Sequence, residues 1–176
     1  MNIRTIHPDD AEQFLQLCLQ LDQETKHMLL EPGERTTDIE KQRERIADVL
    51  SHDNQTIFVV EHDDQLIGYL RAAGGDYRRN RHNVYIVVGI LQAFTNQGIG
   101  TALFQTLETW ARSHKLHRLE LNVMVHNLAG IALYTKSGFV IEGTRKDAFY
   151  IDHHYVDEYY MARLLDEKDM QGKSTF

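Results

Sequence analysis

The residues of this sequence that most clearly suggest chemistry form a short glycine-containing segment, Gln97-Gly98-Ile99-Gly100-Thr101. The segment lies between an apolar run and the start of a helical pattern. Glycines at such a junction let the main chain approach a ligand closely. The unpaired N–H groups of a first helical turn, at the positive end of the helix dipole, can bind phosphate. The segment therefore predicts an anion-binding turn, and close packing of helix against strand is the alternative reason for its glycines.

Two well-known phosphate-binding patterns do not fit this segment. A dinucleotide-binding fingerprint needs Gly or Ala three residues after Gly100, where Leu103 stands. A P-loop needs Lys and then Ser or Thr after its last glycine, where Thr101 and Ala102 stand. Neither pattern therefore identifies the anion.

Composition excludes other classes of function. The formal net charge is -7 and the sequence pI is about 5.8, which opposes binding to nucleic acid, whose phosphates require a basic surface. A basic cluster at residues 78–81 is interpreted as a solvated turn or as an aid in steering an anionic cofactor. The single cysteine, Cys18, lies in an apolar helical pattern and predicts a packed thiol. The histidines lack the spacing of a zinc site, so no metal is predicted.

The sequence predicts one domain without a membrane segment. Its longest nearly apolar run, residues 84–94, is about half of the roughly 20 residues that a membrane-spanning helix needs. The first residues lack the pattern of a secretory signal, so the expected location is the cytoplasm. A chain of 176 residues, 42% of them hydrophobic, predicts a single domain at 1–165, and the charged end predicts a flexible tail at 166–176.

Hydrophobic periodicity supplies the elements that would position the glycine segment. The first strand is followed by a helix that starts at Pro8 and by a second helix capped by Thr37. The apolar residues after Gly98 repeat with helical spacing. The predicted strands are 2–6, 56–62, 66–73, 83–90, 119–125, 139–142 and 156–164, and the predicted helices are 8–26, 38–50, 98–114 and 128–136.

Three groups of residues, in the order in which they occur, resemble the GNAT N-acetyltransferase superfamily. They are the run 97–103, the strand Leu119-Glu120-Leu121-Asn122-Val123, and the spaced set Asn127, Gly130, Ala132, Leu133, Tyr134, Lys136, Gly138, Phe139, Glu142 and Gly143. The predicted element order agrees with that family. The resemblance implies an α/β (α+β) fold with a mixed, mostly antiparallel central sheet of about seven strands, flanked by about four helices, in which a central strand pair is splayed apart.

The resemblance also implies an activity. A GNAT enzyme would transfer the acetyl group of acetyl-CoA, by direct attack in a ternary complex, to a primary amine of a small molecule or of a protein N-terminus, with CoA as product. Two alternatives stay open, a non-catalytic acyl-CoA-binding regulatory module and a protein-interaction domain with a structural glycine turn. A homodimer is also left open.

The family pattern assigns cofactor contacts to specific positions. Main-chain groups at the end of the splayed strand, at Ile90, would pair with the pantetheine arm and the thioester carbonyl. One departure is Thr95, where the family commonly has Arg or Gln. The expected cofactor-binding residues are Ile90, Gln92, Gln97, Gly98, Ile99, Gly100, Thr101, Asn127, Tyr134 and Lys136.

Catalysis requires a route for the amine proton and an acid for the departing thiolate. Tyr134 matches the family tyrosine beside the cofactor sulfur and is the expected acid. Some relatives place a Glu where this chain has Asn122, which cannot accept a proton, so Glu120, two residues earlier on the same strand face, is the first candidate for a base that acts through a water. His82 and Glu31 stay open as weaker candidates. The expected acceptor contacts are Leu30, Glu31, Tyr85 and Tyr155.

Overall fold

A computed structural model describes residues 1–165, and the predicted tail at 166–176 lies outside them. Short 3-10 turns, Pro8–Asp10 and Gln92–Phe94, precede the first helix and follow the fourth strand. The elements in chain order are β1 (Asn2–Thr5), α1 (Ala11–Glu24), α2 (Ile39–Ser51), β2 (Gln55–His62), β3 (Gln65–Gly74), β4 (Asn83–Ile90), α3 (Ile99–Ser113), β5 (Arg118–Met124), α4 (Leu128–Lys136), β6 (Val140–Ile151) and β7 (His154–Leu164).

The starts of the first two helices differ slightly from the prediction. Pro8 begins the 3-10 turn, and Asp10 closes it by accepting a hydrogen bond from the His7 main-chain N–H at 2.7 Å. The predicted cap of α2, Thr37, is wrong, because the Asp38 carboxylate accepts the hydrogen bond from the Lys41 N–H at 3.0 Å. An aspartate at the N-terminus also interacts favourably with the helix dipole.

The seven strands form one sheet in the order β1-β2-β3-β4-β5-β7-β6. Every neighbouring pair is antiparallel except β4 and β5, which run parallel. That parallel pairing extends only from Asn83 opposite Arg118 to Tyr85 opposite Glu120, whereas β4 pairs with β3 as far as Ile90. The predicted mixed sheet with a splayed central pair is confirmed.

Helices cover both faces of this sheet. On one face Phe14 of α1 packs edge-to-face on Tyr69 of β3, with ring centroids 5.2 Å apart. On the other face Trp110 of α3 packs on Phe58 of β2, with centroids 6.3 Å apart. Cys18 is buried in the same core, and burial raises the pKa of its thiol to about 11, which agrees with a packed and unreactive cysteine.

The last two strands are longer than the sequence predicted. Strand β6 continues to Ile151, although its prediction ended at residue 142, and a turn at Asp152 and His153 leads directly into β7. The pairing of the two strands is irregular between Arg145 and Phe149, where polar residues interrupt the alternation. A bulged strand loses the regular period on which the prediction relied.

Candidate active site

The splayed strand pair creates a gap in the middle of the sheet. The Leu91 N–H donates to the Ile67 carbonyl at 2.9 Å, so the main-chain groups of Leu91 point toward β3. Main-chain N–H and C=O groups point alternately to the two neighbouring strands, so those of Val88 and Ile90 point toward β5. Both residues lie beyond Tyr85, the last residue of β4 that pairs with β5. Unpaired main-chain groups at the predicted position, Ile90, therefore line the gap.

The glycine segment leads from the end of β4 into α3. Gly98 has φ +81°, a left-handed conformation that favours glycine, and a Cβ there would meet nothing within 4 Å. No side chain caps α3, and its first turn contains no acidic residue. The first helical hydrogen bond runs from the Ala102 N–H to the Gly98 carbonyl at 3.1 Å, which leaves the N–H groups of Ile99, Gly100 and Thr101 available to an anion.

Gly100 has a different reason to be glycine. A Cβ at this position would lie 2.6 Å from Cδ2 of Leu133 on α4, closer than real Cβ contacts. Each glycine therefore fits one of the two reasons that the sequence offered. Gly98 shapes the anion-binding turn, and Gly100 lets α4 pack closely against α3.

Two glutamines beside the turn were also expected to contact the cofactor. Gln97 is exposed and donates its side-chain amide to the Ala93 carbonyl at 3.2 Å. Gln92 is exposed too, but its main-chain N–H donates to the Glu24 carboxylate at 2.8 Å. The end of α1 therefore lies against the 3-10 turn that follows β4.

Tyr134 is buried on α4 and packs against Phe104 and Phe139, with centroid separations of 5.7 and 6.3 Å. Burial, and then the phenol of Tyr85, raise the pKa of Tyr134 to about 12. Within residues 1–165 the Tyr134 hydroxyl has no hydrogen-bond partner. The side chain therefore stays protonated at working pH and can donate a hydrogen bond.

Asn127 and Lys136 lie at opposite ends of α4. The Asn127 side-chain oxygen accepts from the Gly130 N–H at 3.0 Å, so this residue is the helix cap, and its amide nitrogen has no partner in the described part of the chain. Lys136 is exposed in the last turn and forms no ion pair with any described residue. Both remain able to contact a ligand.

A cavity of about 250 Å³ lies on the face of the sheet that also carries Tyr85 and Glu120. Glu120, the predicted base, accepts a hydrogen bond from Arg118 at 2.7 Å, and the same guanidinium binds Glu142. Burial first, and then the charge of Glu158, raise the pKa of Tyr85. The cavity is lined by Tyr85, Arg118, Glu120, Leu121, Asn122, Tyr160 and Met161.

Glu158 was not among the predicted site residues. It lies on β7 with 3% of its surface exposed, and one carboxylate oxygen accepts from Asn122 at 3.1 Å and from Arg145 at 3.0 Å. The acidic pair Asp157 and Glu158 inside a predicted strand was the available signal, but the position of Glu158 beside Asn122 depends on the pairing of β7 with β5.

The remaining acceptor candidates, Leu30, Glu31 and Tyr155, lie outside the cavity lining. The loop that contains Leu30 and Glu31 is held by Arg35, which makes a bidentate ion pair with the buried Asp22 at 2.6 and 2.8 Å. The start of this loop reaches the turn between β6 and β7, where Lys26 binds Asp152 at 2.5 Å.

Tyr155, on the same hairpin, is 69% exposed and contacts the ring of Tyr150 at 5.0 Å. His27 lies beside His126 with ring centroids 5.2 Å apart, so the α1–α2 loop also approaches the turn before α4. None of these residues is among those that line the cavity.

Some features lie far from the gap or are absent. The basic cluster at 78–81 precedes β4, at the strand end opposite to the glycine turn, so it does not belong to the anion-binding turn. Across residues 1–165 no helix has the length and apolar character needed to cross a membrane. The described residues likewise contain no group of three potential metal ligands.

Comparison with known proteins identifies relatives. A family model described as Acetyltransferase (GNAT) family matches residues 17–139. The L-amino acid N-acetyltransferase AaaT of Escherichia coli (strain K12) is 33% identical over 106 residues, which are 58% of this chain and 64% of that protein. The chain thus spans slightly less than two thirds of that relative.

Solved structures show the same fold. An acetyltransferase of the GNAT family from Streptococcus pneumoniae superposes with a TM-score of 0.90 at 27% identity, over 94% of this chain and 99% of that one. A putative acetyltransferase from Salmonella typhimurium, determined with its cofactor acetyl-CoA, superposes with a TM-score of 0.82 at 20% identity, over 94% of both chains.

Proposed function

The chain belongs to the acetyltransferase (GNAT) family, and from that premise we propose that it transfers the acetyl group of acetyl-CoA to a primary amine, of a small molecule or of a protein N-terminus. The observation that carries the proposal is the adjacency of three features at the carboxyl end of β4. The β4–β5 gap and the uncapped start of α3 lie there, and Gly100 of α3 packs against Leu133 of α4, the helix that carries the buried Tyr134. The proposed compartment is the cytoplasm.

The residues at this end of β4 fit acetyl-CoA. The free N–H groups from Ile99 to Thr101 would hold its phosphates, and main-chain groups of Val88 and Ile90 would pair with its amide-containing arm. Asn127 and Lys136 add side-chain donors from α4. Bound acetyl-CoA supplies an activated thioester.

Tyr134 is the proposed donor to the departing sulfur. Its raised pKa, about 12, keeps the hydroxyl protonated, so it can give a hydrogen bond to the developing thiolate and pass on the proton that leaves the amine nitrogen. Glu120 and Asn122 remain proposed participants on the other side of the gap, where Arg118 already occupies one oxygen of Glu120.

The size of the cavity supports a small acceptor over a long peptide. A volume of about 250 Å³ lies below the usual range of pockets for drug-sized ligands. The proposed acceptor contacts are Tyr85, which lines the cavity, and Leu30, Glu31 and Tyr155, which do not. The name of the Escherichia coli relative supports amino acids among the small amines to be tried first.

A homodimer remains a proposal as well. Strand β6 is an edge of the sheet, and it exposes 64% of Val140 and 59% of Tyr150. A second copy covering this edge would pair its unpaired main-chain groups and bury apolar side chains.

A screen for CoA release tests the proposed function. The purified protein is incubated with acetyl-CoA and, separately, with free amino acids, polyamines and peptides with free N-termini, and the liberated thiol is measured. We expect release with at least one amine and loss of that release in Tyr134→Phe. Tight acetyl-CoA binding without release across the panel would instead favour the non-catalytic regulatory module.

A further inference from the structure

Two acidic side chains among residues 1–165 are buried, and they are satisfied differently. Both oxygens of Asp22 receive hydrogen bonds from Arg35. Glu158 receives both of its hydrogen bonds, from Asn122 and Arg145, on the same oxygen, Oε1. Its second oxygen, Oε2, has no donor within the described part of the chain.

The free oxygen of Glu158 is not sealed inside the protein. Asn83 Oδ1 is the one fully enclosed side-chain oxygen or nitrogen atom without a partner in residues 1–165, so Glu158 Oε2 still reaches a solvent-accessible space. A largely desolvated carboxylate oxygen without a donor is unfavourable. An arriving cation with N–H groups would satisfy it.

Glu158 lies one strand away from the gap, and its Oε1 binds Asn122, which lines the cavity. Glu158 stands opposite Met124 on β5, and Asn122 stands opposite Tyr160, so all four side chains share one sheet face. The side chain of Asn122 binds Glu158, while its main-chain N–H faces the hydroxyl of Tyr85. Glu158 is thus at the level where β4 and β5 have separated, across the sheet from the helix that carries Tyr134.

We propose that Glu158 receives the ammonium group of the acceptor and takes its proton before the amine attacks. This role rests on the proposed acetyl transfer. The ammonium gives one proton to the Glu158 carboxylate, and the neutral amine attacks the thioester carbonyl. As the C–S bond breaks, the nitrogen loses a second proton, which reaches the thiolate through Tyr134. The products are the amide and CoA thiol, and Glu158 returns its proton to water.

Two amines of similar size separate this role from a structural one. Ethylamine arrives as an ammonium ion at pH 7.5, whereas 2,2,2-trifluoroethylamine is largely neutral because its fluorines lower the basicity of the nitrogen. Glu158→Gln keeps the shape and an acceptor oxygen for Asn122 and Arg145. We expect kcat/KM for ethylamine to fall about 100-fold or more and that for the fluorinated amine to change less than about threefold.

A matched control lies next to Glu158. Asp157→Asn removes the same charge from the adjacent residue, which points to the other face and binds Lys146 at 2.6 Å. We expect this variant to turn over both amines like the wild type. The melting temperature and the acetyl-CoA affinity of both variants should match the wild type.

Several outcomes overturn the role of Glu158. They are equal losses for both amines in Glu158→Gln, unchanged turnover of ethylamine in that variant, and an ammonium-selective loss in Glu120→Gln instead. None of these outcomes argues against the proposed acetyl transfer. That proposal fails only if no amine in the CoA-release screen releases CoA.

Discussion

The two ends of strand β4 are built in opposite ways. At the amino end, β4 is paired on both sides, and the preceding turn carries the exposed cations Arg78 and Arg79. At the carboxyl end, pairing with β5 has ceased and the chain enters an uncapped helix through Gly98. We call the amino end of β4, which is paired on both sides and lies next to the cations, the closed end. The carboxyl end, which is unpaired toward β5, is the open end.

The difference shows why charge alone is a poor guide to an anion site. Arg78 and Arg79 at the amino end are exposed to solvent, whereas the main-chain N–H groups at the start of α3 are held by the helix and aligned with its dipole. A carboxylate at this helix start would have occupied the site, and none is present in its first turn. Changes at the two ends should therefore have different effects.

The largest effect is expected for Tyr134→Phe at the open end. The ring keeps its contacts with Phe104 and Phe139, while the donor hydroxyl is lost. Turnover at saturating acetyl-CoA should fall by roughly 10²- to 10⁴-fold with little change in acetyl-CoA affinity. A turnover number within about threefold of wild type would mean that the tyrosine is only a core aromatic.

The next largest effect is expected for Gly98→Asp. A carboxylate at the turn would repel phosphate, and we expect roughly 100-fold weaker acetyl-CoA binding, which corresponds to about 2.7 kcal/mol. Gly98→Asn is the matched control, since it tolerates the left-handed conformation similarly but carries no charge. Equal acetyl-CoA affinities of the two variants, measured by calorimetric titration, would show that the phosphates do not bind at Gly98.

Gly100 is not suitable for this test. A side chain there would require Leu133 to move, so a loss of binding would not separate helix packing from charge.

At the closed end we expect an effect on stability alone. Asn54 is buried and donates to the carbonyls of Gly75 and Arg81 at 2.9 and 3.2 Å. Asn54→Ala leaves both carbonyls without this donor and should lower the free energy of unfolding by about 2 kcal/mol, as seen by urea denaturation. A concurrent loss of acetyl-CoA affinity would show that the two ends are coupled.

The smallest effect is expected for the cations of the closed end. The double variant Arg78→Ala with Arg79→Ala removes two exposed charges that lie a full strand length from the glycine turn. The KM for acetyl-CoA should change less than about twofold at physiological ionic strength, because such charges are screened. A clear rise in KM that disappears at high salt would instead show that these arginines steer the anionic cofactor to its site.

The sequence predicted the elements with a regular period and missed contacts between distant elements. Helix α4 has its predicted bounds, and β4 does too, because their apolar spacing is unbroken. The ion pair of Arg118 with Glu120 and the packing of Gly100 on Leu133 depend on tertiary neighbours. Glu158 was missed for the same reason, since only strand pairing brings it to Asn122.

The most direct test of the central claim is the melting temperature with and without acetyl-CoA. A ligand bound at the open end of β4 stabilises the folded state by roughly 2.7 kcal/mol at a hundredfold excess over its dissociation constant, which raises the melting temperature by about 5 to 10 °C. We expect this rise in the wild type and in Gly98→Asn, and its loss in Gly98→Asp at the same concentration. An unchanged melting temperature of the wild type at millimolar acetyl-CoA would contradict the account.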